Sequence, residues 1–335
     1  MRNKVTIFIA LLVAVFILVG CSNNESITGK AIQDVNEKVS LRLPIPIVEA
    51  GQTPFYVAED KGYYDTEGLD VTFNMGSPEL NPVKMVASGT DQFGVLGGPD
   101  TLLVARSKGQ PLVAIAIIHK NSDFPVILTL KDSGLTKVED LKDKKVGFFY
   151  GHISTDVLRN LFRKENVDVE EVDVGFNYNP LISKQVDAEW AFRVTAGLDL
   201  PEKGIEVNTI SPADYGINTH GYAIFTTEEI IKNNPELVEN FLRATIKGII
   251  YSVKEPQESV ESLATRSDKI DKDIEYKRLL MYNEVTSISQ QFPPGYMDEE
   301  MFQETYDRLK EEGALDKEFN VNEAFTTQFL DEIYS

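Results

Sequence analysis

From position 39 the chain reads V-S-L-R-L-P-I-P-I, with an apolar residue at every odd position through 47. That is the period of a strand with one face buried. Thr53-Pro54 follows as an N-cap and a proline suited to a first helical turn, and the helix predicted over 55–61 ends at Gly62. Residues 69–73 form a second strand, and Asn81-Pro82 opens a second helix that stops at Gly89. Residues 92–96 are a strand, Gly97-Gly98-Pro99-Asp100 is a sharp turn into a helix over 101–107, and 111–118 is again a strand. Strands alternating with helices of about ten residues predict a mainly parallel sheet.

The same rhythm restarts. Residues 126–130 and 146–150 are strands, and Thr136 with Glu139 forms a capping box for a short helix between them. Gly151-His152-Ile153-Ser154 turns into a helix over 155–164 that keeps Val157, Leu158, Leu161 and Phe162 on one face. A strand at 172–174, a helix at 180–185 and strands at 188–192 and 205–210 complete this second unit. After a strand at 222–225 the pattern is helical. Asn234-Pro235 caps a helix whose Leu237, Val238, Phe241, Leu242, Thr245 and Ile249 make an apolar stripe, and helices follow near 256–265, 271–291 and 298–312. A helical tail cannot extend a parallel sheet, so it is expected to pack back on the first unit. The chain then crosses near 119–126 and returns near 214–222, giving lobe I as 39–122 plus 220–335 and lobe II as 123–219.

The start of the chain has another character. Arg2 and Lys4 precede an apolar run over 5–19 broken only by Thr6, about the length of a signal-peptide core and short of the ~20 apolar residues of a membrane span. Leu18-Val19-Gly20-Cys21 resembles the prokaryotic lipobox, in which the cysteine thiol takes a diacylglycerol; the alternative is an uncleaved anchor. Residues 1–20 are therefore read as a lipoprotein signal and 21–38 as the lipidated Cys21 with a polar, flexible tether. Either reading places the body outside the cytoplasmic membrane.

The 335 residues are 42% hydrophobic and 10% aromatic, ample for packed cores and against a disordered chain. A net charge of −20, from 53 acidic against 33 basic residues, argues against nucleic acid as a partner. The single cysteine rules out internal disulfides and any cysteine-based zinc site. No metal and no cofactor are implied, and no G-x-S-x-G, H-E-x-x-H or P-loop occurs.

Phe55-Tyr56-Val57-Ala58-Glu59-Asp60-Lys61-Gly62-Tyr63-Tyr64, followed by Glu67-Gly68-Leu69-Asp70-Val71, resembles the "YvAlekGyY…eGLdV" signature of the NMT1/THI5-like and SsuA-like binding proteins. Val86-Ala87-Ser88-Gly89 with Asp91-Gln92-Phe93-Gly94-Val95 is similar to the family's "vasGkaDfgv", residues 105–113 to its "raKGiPvv", and residues 141–147 to its "dLkGKkvg". Val186-Asp187-Ala188, residues 214–217 and Asn234-Pro235-Glu236 with residues 241–244 continue the series, so that the resemblance covers about 41–265. It implies an α/β chain of type II periplasmic-binding-protein fold: two mainly parallel-sheet lobes joined by a two-crossing hinge. The Glu189-Trp190 pair and the last blocks are similar to the branch that binds pyrimidine precursors of thiamine. That branch often carries an asparagine-rich turn after its first strand, where this chain has Pro46-Ile47-Val48-Glu49-Ala50-Gly51-Gln52.

In such a lobe, ligands sit beyond the carboxyl ends of the strands, where loops enter helices and free N–H groups attract acceptors. The candidate ligand-binding residues are accordingly Gln52, Thr53 and Phe55 at the first turn, Gly98 and Asp100 at the second, and Tyr150, Gly151, His152 and Ser154 at the third. Trp190, Phe192 and Arg193 at a strand end complete the set. Trp190 would stack on a planar heterocycle or fill the core, Tyr150 would point into the cleft or end a buried strand, and Asp100 would accept from an exocyclic amine or support a helix start. His152 could bind a ring nitrogen or an anionic group and Arg193 could pair a carboxylate, sulfonate or phosphate, whereas His119 and His220 fall near the crossings and read as structural.

Three functions fit. The family resemblance implies a monomeric, lipid-anchored solute-binding protein that closes on a small ligand and delivers it to an ABC permease and its ATPase. The ligand would be a pyrimidine precursor, a riboflavin-like heterocycle, or a sulfonate or nitrate anion. Eukaryotic relatives instead synthesise the thiamine pyrimidine with a cysteine-rich motif, and no cysteine follows Cys21 here. A sensing or adhesive lipoprotein without a transport partner is the third reading.

Overall fold

The computed structural model describes residues 36–77, 79–150, 153–286 and 293–335. The signal, Cys21 and most of the tether lie outside these, as do Gly151 and His152. Among the described residues ten strands are formed: β1 (Glu37–Arg42), β2 (Leu69–Asn74), β3 (Phe93–Leu96), β4 (Leu112–Ser122), β5 (Pro125–Leu130), β6 (Lys145–Phe148), β7 (Glu170–Asp173), β8 (Ala188–Phe192), β9 (Val207–Ile210) and β10 (Thr219–Thr227). The helices of the first half are α1 (Thr53–Asp60), α2 (Tyr63–Thr66), α3 (Pro82–Ala87), α4 (Pro99–Ser107), α5 (Ile153–Lys164), α6 (Asn179–Ile182) and α7 (Ala196–Glu202). The tail carries α8 (Glu228–Asn233), α9 (Pro235–Lys254), α10 (Pro256–Ala264), α11 (Lys272–Glu284), α12 (Glu299–Glu311) and α13 (Gln328–Tyr334).

The strands build two five-stranded sheets, in the orders β2-β1-β3-β10-β4 and β7-β6-β8-β5-β9. The two share one plan. In the first, β1 is parallel to β2 and β3 while β10 runs antiparallel to β3 and β4. In the second, β6 is parallel to β7 and β8 while β5 runs antiparallel to β8 and β9. The reversed strand is in each case the one laid down directly after the chain arrives from the other sheet, through 123–124 or 216–218. Such a strand starts at the crossing and runs away from it, whereas each βα unit returns at the far end and runs towards it.

Several local details differ from the pattern-based expectation. Strand β1 already begins at Glu37, inside the expected tether. Thr53 is the first residue of α1 rather than its cap, because the tight turn Ala50–Gln52 runs straight into the helix and Gln52 takes the capping position. The box expected from Thr136 and Glu139 is made by Asp140, whose carboxylate accepts from the N–H groups of Thr136 (2.9 Å) and Lys137 (3.2 Å). Helix α7 was hidden by Pro201 within it.

Packing follows the amphipathic stripes. In α9, Leu237, Val238, Phe241, Leu242 and Ile249 are buried against the first sheet, and the Phe241 ring stacks on Phe93 at 4.0 Å between centroids. In the second sheet, Val157, Leu158, Leu161 and Phe162 of α5 cover Ile127, Val146, Phe148 and Trp190. Among the described residues no helix is long and apolar enough to cross a membrane, and no group of three His, Cys, Asp or Glu side chains could hold a metal ion.

Candidate functional site

At the carboxyl end of β1 the chain turns sharply through residues 43–52 into α1, and this turn carries Glu49, which is 5% exposed. Its Oε1 accepts a hydrogen bond from the Tyr222 hydroxyl at 2.6 Å, while Oε2 has no hydrogen-bond partner. Gly51 lies directly under this contact: a Cβ there would stand 2.7 Å from Glu49 Oε1 and 2.8 Å from the Tyr222 oxygen, so only glycine leaves room for the pair. Tyr222 is held unusually. It has φ +48° within β10, beside a register shift between Thr219 and Gly221. A bulky residue in that region costs on the order of 1–3 kcal/mol and persists only where its surroundings enforce it, a situation common at functional sites.

His119 projects from the neighbouring strand β4. Its ring centroid lies 5.0 Å from that of Tyr282 on α11, 5.4 Å from Tyr222 and 5.5 Å from Phe124 at the crossing. The Thr286 hydroxyl donates to the Tyr282 carbonyl at 2.9 Å, so its oxygen must accept from His119 Nδ1–H at 3.1 Å. That assignment leaves Nε2 of the neutral ring as an acceptor. Burial pushes the His119 pKa down to about 3, so the ring is uncharged at neutral pH. Burial, and after it the nearby Glu49 carboxylate, hold the Tyr222 and Tyr282 phenols well above their ordinary value, so both remain protonated.

The cluster surrounds a narrow pocket lined by Ala50, Gly51, Pro54, His119, Tyr282 and Thr286 among others, whose described residues leave no room for a water molecule. Three polar atoms of this region are buried without a hydrogen-bond partner: His119 Nε2 on a lining residue, and Glu49 Oε2 and Thr53 Oγ1 on residues adjacent in the chain to the lining residues Ala50 and Pro54. Buried polar groups are ordinarily satisfied, and an orphan costs about 1–3 kcal/mol. Two acceptors and a hydroxyl without partners beside aromatic rings could each take a hydrogen bond from an N–H or O–H donor, but the enclosed space as it stands is too small to admit a ring-sized molecule without movement of its walls. Among the described residues His119 is the one of basic type in the pocket lining, and burial keeps it neutral.

Of the residues singled out from sequence, Gln52 and Thr53 belong to this region. Gln52 is buried and pins the turn, with Nε2 donating to the Ile47 carbonyl (2.8 Å) and Oε1 accepting from the Tyr56 hydroxyl (3.0 Å). Phe192 is half-buried and packs towards Ala50, Phe124 and Tyr282. The others lie elsewhere. Phe55 is a fully buried core residue of the first lobe. Trp190 is 1% exposed on β8, the middle strand of its sheet, and packs with Phe148, Phe149 and Phe192 in the core of the second sheet. Gly98 packs a missing Cβ against the His220 carbonyl, and Asp100 is buried in an ion pair with Arg308 rather than open to a ligand. Arg193 pairs with Asp123 (2.8 Å) and Glu284 (3.4 Å), which occupies the guanidinium that an anion would need. Tyr150 is exposed with the Arg159 guanidinium 5.1 Å from its ring centre. Gly151, His152 and the Ser154 side chain lie outside the described residues. Glu49, Tyr222 and Tyr282 of this candidate cluster are not among the residues singled out from sequence, where His119 reads as structural; the one available signal is an acidic residue inside a largely apolar loop after the first strand.

Two relatives named as binding proteins cover most of the chain. It is 26% identical over 291 residues to "Riboflavin-binding protein RibY" of Chloroflexus aurantiacus, covering 83% of this chain and 82% of that one. It is 25% identical over 329 residues to "Formylaminopyrimidine-binding protein" of Halalkalibacterium halodurans, covering 95% and 97%. The periplasmic aliphatic sulphonate-binding protein SsuA of Escherichia coli has the same fold, with a TM-score of 0.71 at 16% identity over 87% of this chain and 92% of that one. The architecture is thus the two-lobe type II periplasmic-binding-protein fold. A family model described as NMT1/THI5 like matches residues 49–259, from Glu49 to α10, and the chain belongs to that family.

Proposed function

We propose that this protein is an extracytoplasmic solute-binding lipoprotein that closes two lobes, 39–122 with 220–335 and 123–219, around a pyrimidine-type thiamine precursor and delivers it to an ABC permease and ATPase. The observation that carries the ligand class is the pair of buried acceptors without partners, Glu49 Oε2 and His119 Nε2, the first on the carboxylate that Tyr222 meets and the second on a ring packed against Tyr222 and Tyr282. An aminopyrimidine offers exocyclic N–H donors to the acceptors and a flat face to the rings. The relative named for formylaminopyrimidine spans nearly the whole chain and supports the same class. Riboflavin is the second reading, supported by the other relative and by the ring N–H that an isoalloxazine also carries. A synthase working through a cysteine motif has no parts here, since no cysteine follows Cys21.

Thermal unfolding of the mature protein with formylaminopyrimidine, an aminopyrimidine, thiamine, riboflavin, an alkanesulfonate and nitrate tests this. A ligand at 100 times its Kd adds about 2.7 kcal/mol of stability. Stabilisation by the pyrimidines is expected; stabilisation by the anions alone overturns the reading. The anchor is tested separately, since Cys21→Ser should move the protein from the membrane to the soluble fraction.

A further inference from the structure

Helix α11 belongs by packing to the first lobe, lying against α10, α9 and the turn Ala50–Gln52. Its polar side chains reach across to the second. Glu275 Oε2 accepts from the Ala50 N–H at 2.7 Å, the peptide next to Glu49, and its other oxygen pairs with Arg278 one turn on. Arg278 in turn donates through Nε to the Val194 carbonyl at 2.8 Å and through Nη2 to Asp199 at 2.7 Å, just after β8 and within α7. We infer that Glu275 and Arg278 are a closure latch, which ties the ligand-contacting turn of the first lobe to the β8–α7 segment of the second and so couples the shape of the site to lobe closure.

Two features set this chain of contacts apart from the other links along α11. Glu275 and Arg278 are 7% and 8% exposed, whereas the Lys277–Glu202 pair beside them is largely in solvent. Exposed pairs contribute little, whereas contacts made by a buried charge are stronger, so the contacts of Arg278 weigh more on the equilibrium than the exposed pair does. Their geometry is also conditional. Opening the lobes withdraws the Val194 carbonyl and Asp199 together, leaving the Arg278 N–H groups that met them to be rehydrated. Any movement of the Ala50 turn, such as a ligand on Glu49 would impose, is felt by Glu275 first and by Arg278 through it. Both are positioning residues: neither lines the pocket. The coupling to a ligand rests on the reading of Glu49 as part of the binding site, whereas the latch itself does not.

The test separates the two. Small-angle scattering of the ligand-free mature protein is compared for wild type, Arg278→Met and Asp199→Asn, with circular dichroism to establish folding. Asp199 is about one-third exposed, so Asp199→Asn keeps the fold even where Arg278→Met does not. Wild type is expected to scatter as the closed form, with both variants shifted to a larger radius of gyration and Asp199→Asn the milder. Folded variants that retain the wild-type profile would overturn the latch. In the second arm, formylaminopyrimidine should dissociate roughly tenfold or more faster from Asp199→Asn than from wild type. An unchanged rate on a protein that binds it refutes the coupling, while failure of wild type to bind it counts against the ligand reading and leaves the scattering result standing.

Discussion

Glu49→Gln separates a binding carboxylate from a structural one, because the two roles predict opposite balances. The amide is nearly isosteric, and its oxygen takes over the bond from the Tyr222 hydroxyl now made at 2.6 Å. The amide nitrogen then occupies the place of Oε2, the atom that has no partner. In the ligand-free protein this exchanges a buried, half-satisfied acid for a buried amide, which costs less to desolvate. Stability is therefore expected to hold or to rise by about 1–3 kcal/mol. At about 2.1 cal/mol/K per residue over some 300 residues, that is an increase of roughly 2–5 °C in Tm. Affinity moves the other way. A charge-assisted bond of about 1.5–3 kcal/mol is lost and a donor is set against a donor, so Kd for formylaminopyrimidine should rise about 10- to 150-fold. Calorimetric titration and thermal melts on the same preparation read both quantities. An unchanged Kd, or a weaker Kd accompanied by a proportionate loss of stability, would show that Glu49 supports the fold and does not meet the ligand.

Trp190→Ala should destabilise by about 3–5 kcal/mol in urea titrations, as removal of a fully buried indole does, with the Kd of the folded fraction within about twofold of wild type; lost affinity at intact stability would put the indole on the cleft wall. Gly51→Ala drives a methyl into Glu49 and Tyr222 and should cost about 1–3 kcal/mol together with binding, and a variant that binds normally would refute the close approach. Burial holds His119 at about 3 and His220 at about 4 in the folded protein, against about 6.5 unfolded. The unfolded chain therefore takes up protons the native state refuses, and this share of stability, full above about pH 6.5, is lost as pH falls towards 4. Each histidine accounts for up to about 1.4 kcal/mol per pH unit. Glu189, raised by burial to about 7, has the opposite sign: its contribution is full below the ordinary carboxylate range and is lost as pH rises through 7. His119→Gln should flatten the urea-midpoint profile between pH 4 and 6.5 by one proton's worth, and an unchanged slope would mean that His119 is not buried neutral.

The alternation of strand and helix signals, the caps at Asn81 and Asn234 and the apolar stripe of α9 are properties of neighbouring residues, and all are legible in the order of residues alone. So are the ordered motif blocks from Phe55 to Ala244, because a signature is a local string. The cysteine count removes whole classes of chemistry in the same way. The site is not legible by these means. Glu49, His119, Tyr222 and Tyr282 are separated by 60 to 233 positions, and nothing within a few residues of any one marks it for the others. Tyr222 reads as an ordinary strand tyrosine, and only the β10 distortion with its positive φ turns the phenol onto Glu49. Trp190 shows the same limit, since an aromatic at a strand end has the same local appearance whether its strand lies at the rim or the centre of a sheet, and only the fold shows it enclosed. Sequence by itself determined the elements and the family, which depend on short-range periodicity and steric preference. Tertiary structure alone decided which polar atoms are enclosed without partners, because enclosure depends on what the rest of the chain brings alongside.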